Sequence, residues 1–144
     1  MALSIYIVSG LVIVFLIGAF LARRMSKSRR KDEATKKRME LKSNIAKTVD
    51  RINTHKKKLS KFKSQLPKHV KDPDLEATII DKASLINYDH VVSKLNRLRK
   101  DVEFKRRKYN IPLIREYLAE VEKINALLDK SLEVMENWFL YKPN

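Results

Sequence analysis

Side chains that commonly carry chemistry are few in this chain, and their spacing does not suit it. The three histidines, His55, His69 and His90, lack the partners at i+3 or i+4 that complete a metal site on a helix, and neither HExxH nor ExxH occurs. There is no cysteine, which removes thiolate zinc sites, disulfides and a cysteine nucleophile together. The only glycines, Gly10 and Gly18, lie in an apolar run, so no glycine-rich loop exists to cradle a phosphate. Paired acids such as Glu120 with Glu122 and Glu133 with Glu136 fall on the solvent side of a charged helical repeat, where nothing raises a carboxyl pKa. The expectation is a non-enzymatic protein with no metal, no cofactor and no small-molecule substrate.

What remains is cation chemistry, and it is unevenly placed. Residues 23–71 hold 19 Lys or Arg against four acids, whereas residues 72–144 hold 13 of each, so the whole net charge of +15 originates in the first stretch. Arg23, Arg24, Lys27, Arg29, Arg30 and Lys31 are its densest part. Such a group predicts contact with anionic lipid headgroups, at about 1 kcal/mol for each cation close to the surface. Neutralisation of nucleic-acid phosphates by this stretch and by residues 94–108 is the alternative, without sequence specificity. Against it, Phe62, Phe104 and Tyr109 are not spaced as a stacking platform.

The elements that position these residues begin with an apolar run. Leu3 to Ala22 is twenty residues without a charge, long enough at about 1.5 Å per residue to match a hydrocarbon core of roughly 30 Å. This predicts one membrane-spanning helix over residues 1–23. No charge precedes the run and six cations follow it within ten residues, so the positive-inside rule places the N-terminus outside and the remainder in the cytoplasm. Residues 24–40 then read as a basic juxtamembrane stalk. Gly18 and Ala22 make a small-xxx-small pair that would let two such helices approach.

From residue 41 onward the repeat is helical. Leu41, Ile45, Thr48, Ile52, His55, Leu59, Phe62 and Leu66 alternate by four and three, with the a-type positions all apolar and the d-type positions half polar. Pro67 ends this helix, and Asp72-Pro73 starts the next with a cap and a preset first residue. A bent but continuous second helix is expected over 73–109, with a phase slip at Asn87-Tyr88-Asp89-His90. Asn110-Ile111-Pro112 breaks it, and a third helix over 112–140 presents Ile114, Tyr117, Val121, Ile124, Leu128, Ser131, Met135, Trp138 and Phe139. The fold class expected is all-α: one transmembrane helix, a stalk, and an antiparallel bundle or coiled coil of about three helices over 41–144, with helices near 41–66, 73–109 and 112–140. The apolar residues of the first and third helices form the expected packing seam, or the seam for a partner.

The layout of one span followed by a long helical domain resembles the inner-membrane spanins of phage lysis cassettes, and also LemA-like anchored bundles. The first resemblance implies the opposite topology, with the helical domain outside, which the sequence RRMSKSRRK after the span opposes. The function expected is that of a single-pass membrane-anchored adaptor, scaffold or accessory subunit whose helical domain binds a protein partner or a larger membrane complex. The alternatives are a membrane tether for nucleic acid and the spanin-like arrangement.

Overall fold

The computed structural model describes the backbone of residues 2–140 and the side chains of residues 12–138. Among the described residues four α-helices follow one another: α1 (Ala2–Gln65), α2 (Pro73–Ala83), α3 (Tyr88–Asp101) and α4 (Ile111–Leu140), with a short 3-10 turn at Leu66–Lys68 after α1. No strand occurs among the described residues.

Local chemistry explains the boundaries. Between Ala19 and Gln65 the chain contains neither glycine nor proline and is rich in Lys and Arg, so nothing interrupts α1 until Pro67. Asp72 caps α2 by accepting from the Asp74 N–H at 3.0 Å, with Pro73 in the first helical position. Asn87 caps α3 by accepting from the His90 N–H at 3.1 Å, and Asn110 caps α4 by accepting from the Leu113 N–H at 3.1 Å.

Consecutive arms run in opposite directions, so the first and last are parallel. Residue pairs between α1 and α4 advance together: Glu33 with Arg115, Thr48 with Asn125, His55 with Ser131. Those between α1 and the α2–α3 arm run the other way, with Lys42 meeting Glu103 and His55 meeting Tyr88. The three arms enclose a core in two parts. One part holds Ala34, Leu41, Ile45, Ile52, Leu95, Leu98, Val102, Ile114, Val121, Ile124 and Leu128 among its buried residues. The other gathers Leu59, Phe62, Leu66, Val70, Ile79, Ala83 and Met135. Each large side chain so buried is worth about 1.5–3 kcal/mol over an exposed one.

Three expectations are corrected. Among the described residues, no helix is long and apolar enough to cross a membrane. The described apolar part of α1 is Val12–Ala22, eleven residues, and Arg23 and Arg24 follow it at once. Eleven residues rise about 16 Å, roughly half a hydrocarbon core. The side chains of Leu3 to Leu11, the other part of the expected span, lie outside the described residues. The single-pass assignment, and the sidedness drawn from its flanks, are therefore not carried forward.

The second correction concerns the helix expected over 73–109. It is two helices: Ser84–Asn87 interrupts it, because the Asn87 side chain satisfies an N–H of a new helix and ends the apolar phase of the old one. The third concerns its far end. α3 stops at Asp101, and residues 102–110 form a series of turns whose N–H groups bond locally, as from Lys108 N–H to the Phe104 carbonyl at 2.9 Å. Four consecutive cations, Lys105 to Lys108, stand in this largely exposed segment where a packed helix would have crowded them.

Candidate functional site

Three features stand out from the helical frame: an exposed arm, a cationic end of the bundle, and a polar layer inside it. The arm is the part of α1 before Ala34, the first residue that the core buries. Every described side chain from Val12 to Glu33 is exposed. Twenty-two residues give the arm a length of about 33 Å. Its outer half is apolar on every side, with Phe15 at 78%, Val14 at 68% and Phe20 at 66% exposed. Its inner half carries Arg23, Arg24, Lys27, Arg29, Arg30 and Lys31, all exposed and without an ion pair among the described residues. A Cβ added at Gly18 would meet nothing within 4 Å among the described residues, so Gly18 packs on no other described part of the chain.

At the foot of the arm the segment 102–110 folds against α1. Lys31 Nζ lies 5.7 Å from the Tyr109 ring centroid and Lys108 Nζ lies 5.6 Å from it, so the aromatic ring serves two cations. Glu33 pairs with Arg115 at 3.3 Å and Glu103 with Lys42, which ties both neighbouring arms to α1. The Lys42 ammonium, hydrogen-bonded to Glu103, is the main cause of a carboxyl pKa below the usual range. Asp101 accepts from Arg107 and from the Tyr117 hydroxyl, and these two bonds, Arg107 first, hold its pKa down. Glu33, Asp101 and Glu103 are thus already matched, while Lys100, Lys105 and Arg106 have no acidic partner among the described residues. Phe104 stands among them at 65% exposed, beside a shallow depression lined by Lys42, Arg99, Lys100 and Glu103.

The polar layer divides the two parts of the core. His55, 2% exposed, sits at a d-type position of the α1 repeat, between Ile52 and Leu59. Its Nδ1 lies 2.6 Å from the Tyr88 hydroxyl and its Nε2 lies 2.8 Å from Ser131 Oγ. Ser131 Oγ donates to the Ala83 carbonyl, so toward the ring it acts as acceptor. One pattern satisfies every group: Tyr88 O–H donates to Nδ1, Nε2–H donates to Ser131, and Ser131 donates to the end of α2. The ring is then neutral, consistent with a pKa lowered by burial, then by Lys58 and Arg51. Ser131 has its proton committed to a backbone carbonyl and is fully buried, so this serine and histidine hold the bundle together and offer no nucleophile. A second polar layer lies one turn and more away, where Asn125 donates to Thr48 Oγ1 at 2.9 Å and accepts from Arg51 at 2.6 Å.

The residues singled out from sequence fall into two groups. Leu41, Ile45, Ile52, Leu59, Phe62 and Leu66 of α1 and Ile114, Val121, Ile124, Leu128 and Met135 of α4 are buried in the chain's own core. Tyr117 and Trp138 are partly buried against it, and the Phe139 side chain lies outside the described residues. The seam is therefore occupied from within. The cations 23–31 stay on the arm, and the last of them, Lys31, meets Lys108 at the Tyr109 ring, a residue that sequence spacing alone keeps more than seventy residues away. Sequence reasoning gave no hydrogen-bonding role to Tyr88, Asn125 or Asp101. A polar residue in a heptad seam announces that a partner is needed, but not which one. Among the described residues no cluster of His, Cys, Asp or Glu is arranged to hold a metal ion. No family model, curated protein or solved structure matches the chain.

Proposed function

We propose that this chain is a non-enzymatic adaptor or accessory subunit: a closed helical bundle that carries one exposed helical arm into a protein assembly. The observation that carries this reading is the arm's outer half. Exposed large apolar residues are contiguous there from Val12 to Ile17, and Phe20 and Leu21 continue them. Contiguous apolar surface on this scale marks an interaction site. Because the apolar residues run around the helix instead of along one stripe, a single neighbouring helix would leave half of them wet. An occupant that encloses the arm, built from several elements, fits better than a simple dimer. The bundle supports the same reading, since its seam is satisfied internally and leaves the arm as the unpartnered element.

Crosslinking in native extracts followed by mass spectrometry tests this. Crosslinks from Lys27 and Lys31, beside the apolar half, to a recurring set of other proteins are the expected result. The arm quadruple substitution Val14→Ser, Phe15→Ser, Ile17→Ser, Phe20→Ser should abolish them while leaving bundle unfolding unchanged. Crosslinks confined to the chain itself, or unaffected by those substitutions, would overturn the reading.

A further inference from the structure

We propose that the foot of the arm is a composite docking face for an anionic lipid surface, formed where the turns at 102–110 fold against α1. Sequence places lipid-facing cations on residues 23–31 alone. The fold brings Lys108 to Lys31 across the Tyr109 ring, and with it the exposed Phe104, Lys105 and Arg106 of the same turns. The acids in this region do not cancel the face: Glu33, Asp101 and Glu103 are each already paired with Arg115, Arg107 and Lys42, which leaves Asp32 beside the cations of the arm and of residues 105–108.

Polyanions of two kinds meet cations, and two observations favour lipid headgroups over nucleic acid. First, Phe104 at 65% exposed is a single ring among cations, suited to the headgroup boundary and insufficient for stacking successive bases. Second, the other aromatic here, Tyr109, already has Lys31 and Lys108 close to its ring, and so is not free for a base.

The magnitude follows from the charge. A cation near an anionic surface is worth about fivefold in binding, so removing three should cost on the order of a hundredfold at low salt. The test uses the full chain and vesicles of phosphatidylcholine, with or without phosphatidylserine. The quantity read is the ratio of binding to the two vesicle types, because the apolar arm contributes to both. The triple variant Lys105→Gln, Arg106→Gln, Lys108→Gln should collapse that ratio and leave binding to the neutral vesicles unchanged. In a second arm of the experiment, Phe104→Trp in a Trp138→Phe background supplies a single indole reporter. Its emission should shift to the blue with anionic vesicles and stay unshifted with duplex DNA. A ratio that survives the triple variant, an indole at position 104 that ignores anionic vesicles, or displacement of the chain from vesicles by DNA at equal phosphate overturns the proposal. None of these outcomes depends on which proteins enclose the outer arm.

Discussion

Replacing Ser131 with alanine probes the polar layer most sharply. The change removes one oxygen and no carbon, so packing volume is nearly conserved. It deletes the acceptor for His55 Nε2–H and the donor to the Ala83 carbonyl, both in a region where His55 is 2% and Ser131 0% exposed. Each stranded buried group costs about 1–3 kcal/mol, giving about 2–6 kcal/mol in all. The ring has one escape, a tautomer with the proton on Nδ1 donating to Tyr88, and this still leaves a bare Nε2 lone pair. A loss near 3 kcal/mol corresponds to a melting temperature lower by roughly 15 °C for a bundle of this size. Urea unfolding in mild detergent, followed by far-UV circular dichroism and by the fluorescence of Trp138, measures it. The exposed Ser93→Ala serves as the control and should stay within about 0.5 kcal/mol of the parent. If Ser131→Ala proves as mild as that control, the two hydrogen bonds contribute nothing net and the reasoning fails.

Three more outcomes follow from the same structure. Because burial lowers the His55 pKa, the unfolded chain binds more protons than the folded one below about pH 6.5, so stability should fall as pH drops through that value. His55→Leu should flatten the fall as pH drops below about 6.5, and an unchanged slope assigns it to other groups. Asn87→Ala should cost about 1 kcal/mol and speed amide exchange in the first turn of α3, with α2 unaffected if the two helices are separate units. Tyr117→Phe should raise the Asp101 pKa only part of the way to its ordinary value, since the Arg107 bond is the larger cause; a carboxyl NMR titration that showed full recovery would reverse that order.

Much of the frame could be read directly. The four-and-three repeat from Leu41 to Leu66 lies wholly inside, from Leu41 at 0% to Leu59 at 5% exposed, because a helix that repeats apolar residues at that interval has one face to bury. The stop at Pro67 and the start at Asp72-Pro73 were equally plain, since proline and a capping carboxylate act within a single turn. The break at 84–87 was harder. Asn87 competes with a continuous helix by a local hydrogen bond, and Tyr88, the first residue of the new helix, bonds to His55 across the bundle, a contact that local sequence does not announce.

The cations show the same division. Their number, their concentration in residues 23–71 and the absence of catalytic spacing belong to the sequence, since each is a property of residues close along the chain. That Lys108 meets Lys31 at the Tyr109 ring, that Glu33 and Glu103 are already neutralised, and that His55 finds Tyr88 and Ser131 are decisions of the tertiary structure. The physical reason is distance along the chain. Periodicity and capping act over three or four residues, whereas charge pairing and buried hydrogen bonds join groups that only the packing of the three arms brings within about 3 Å of one another.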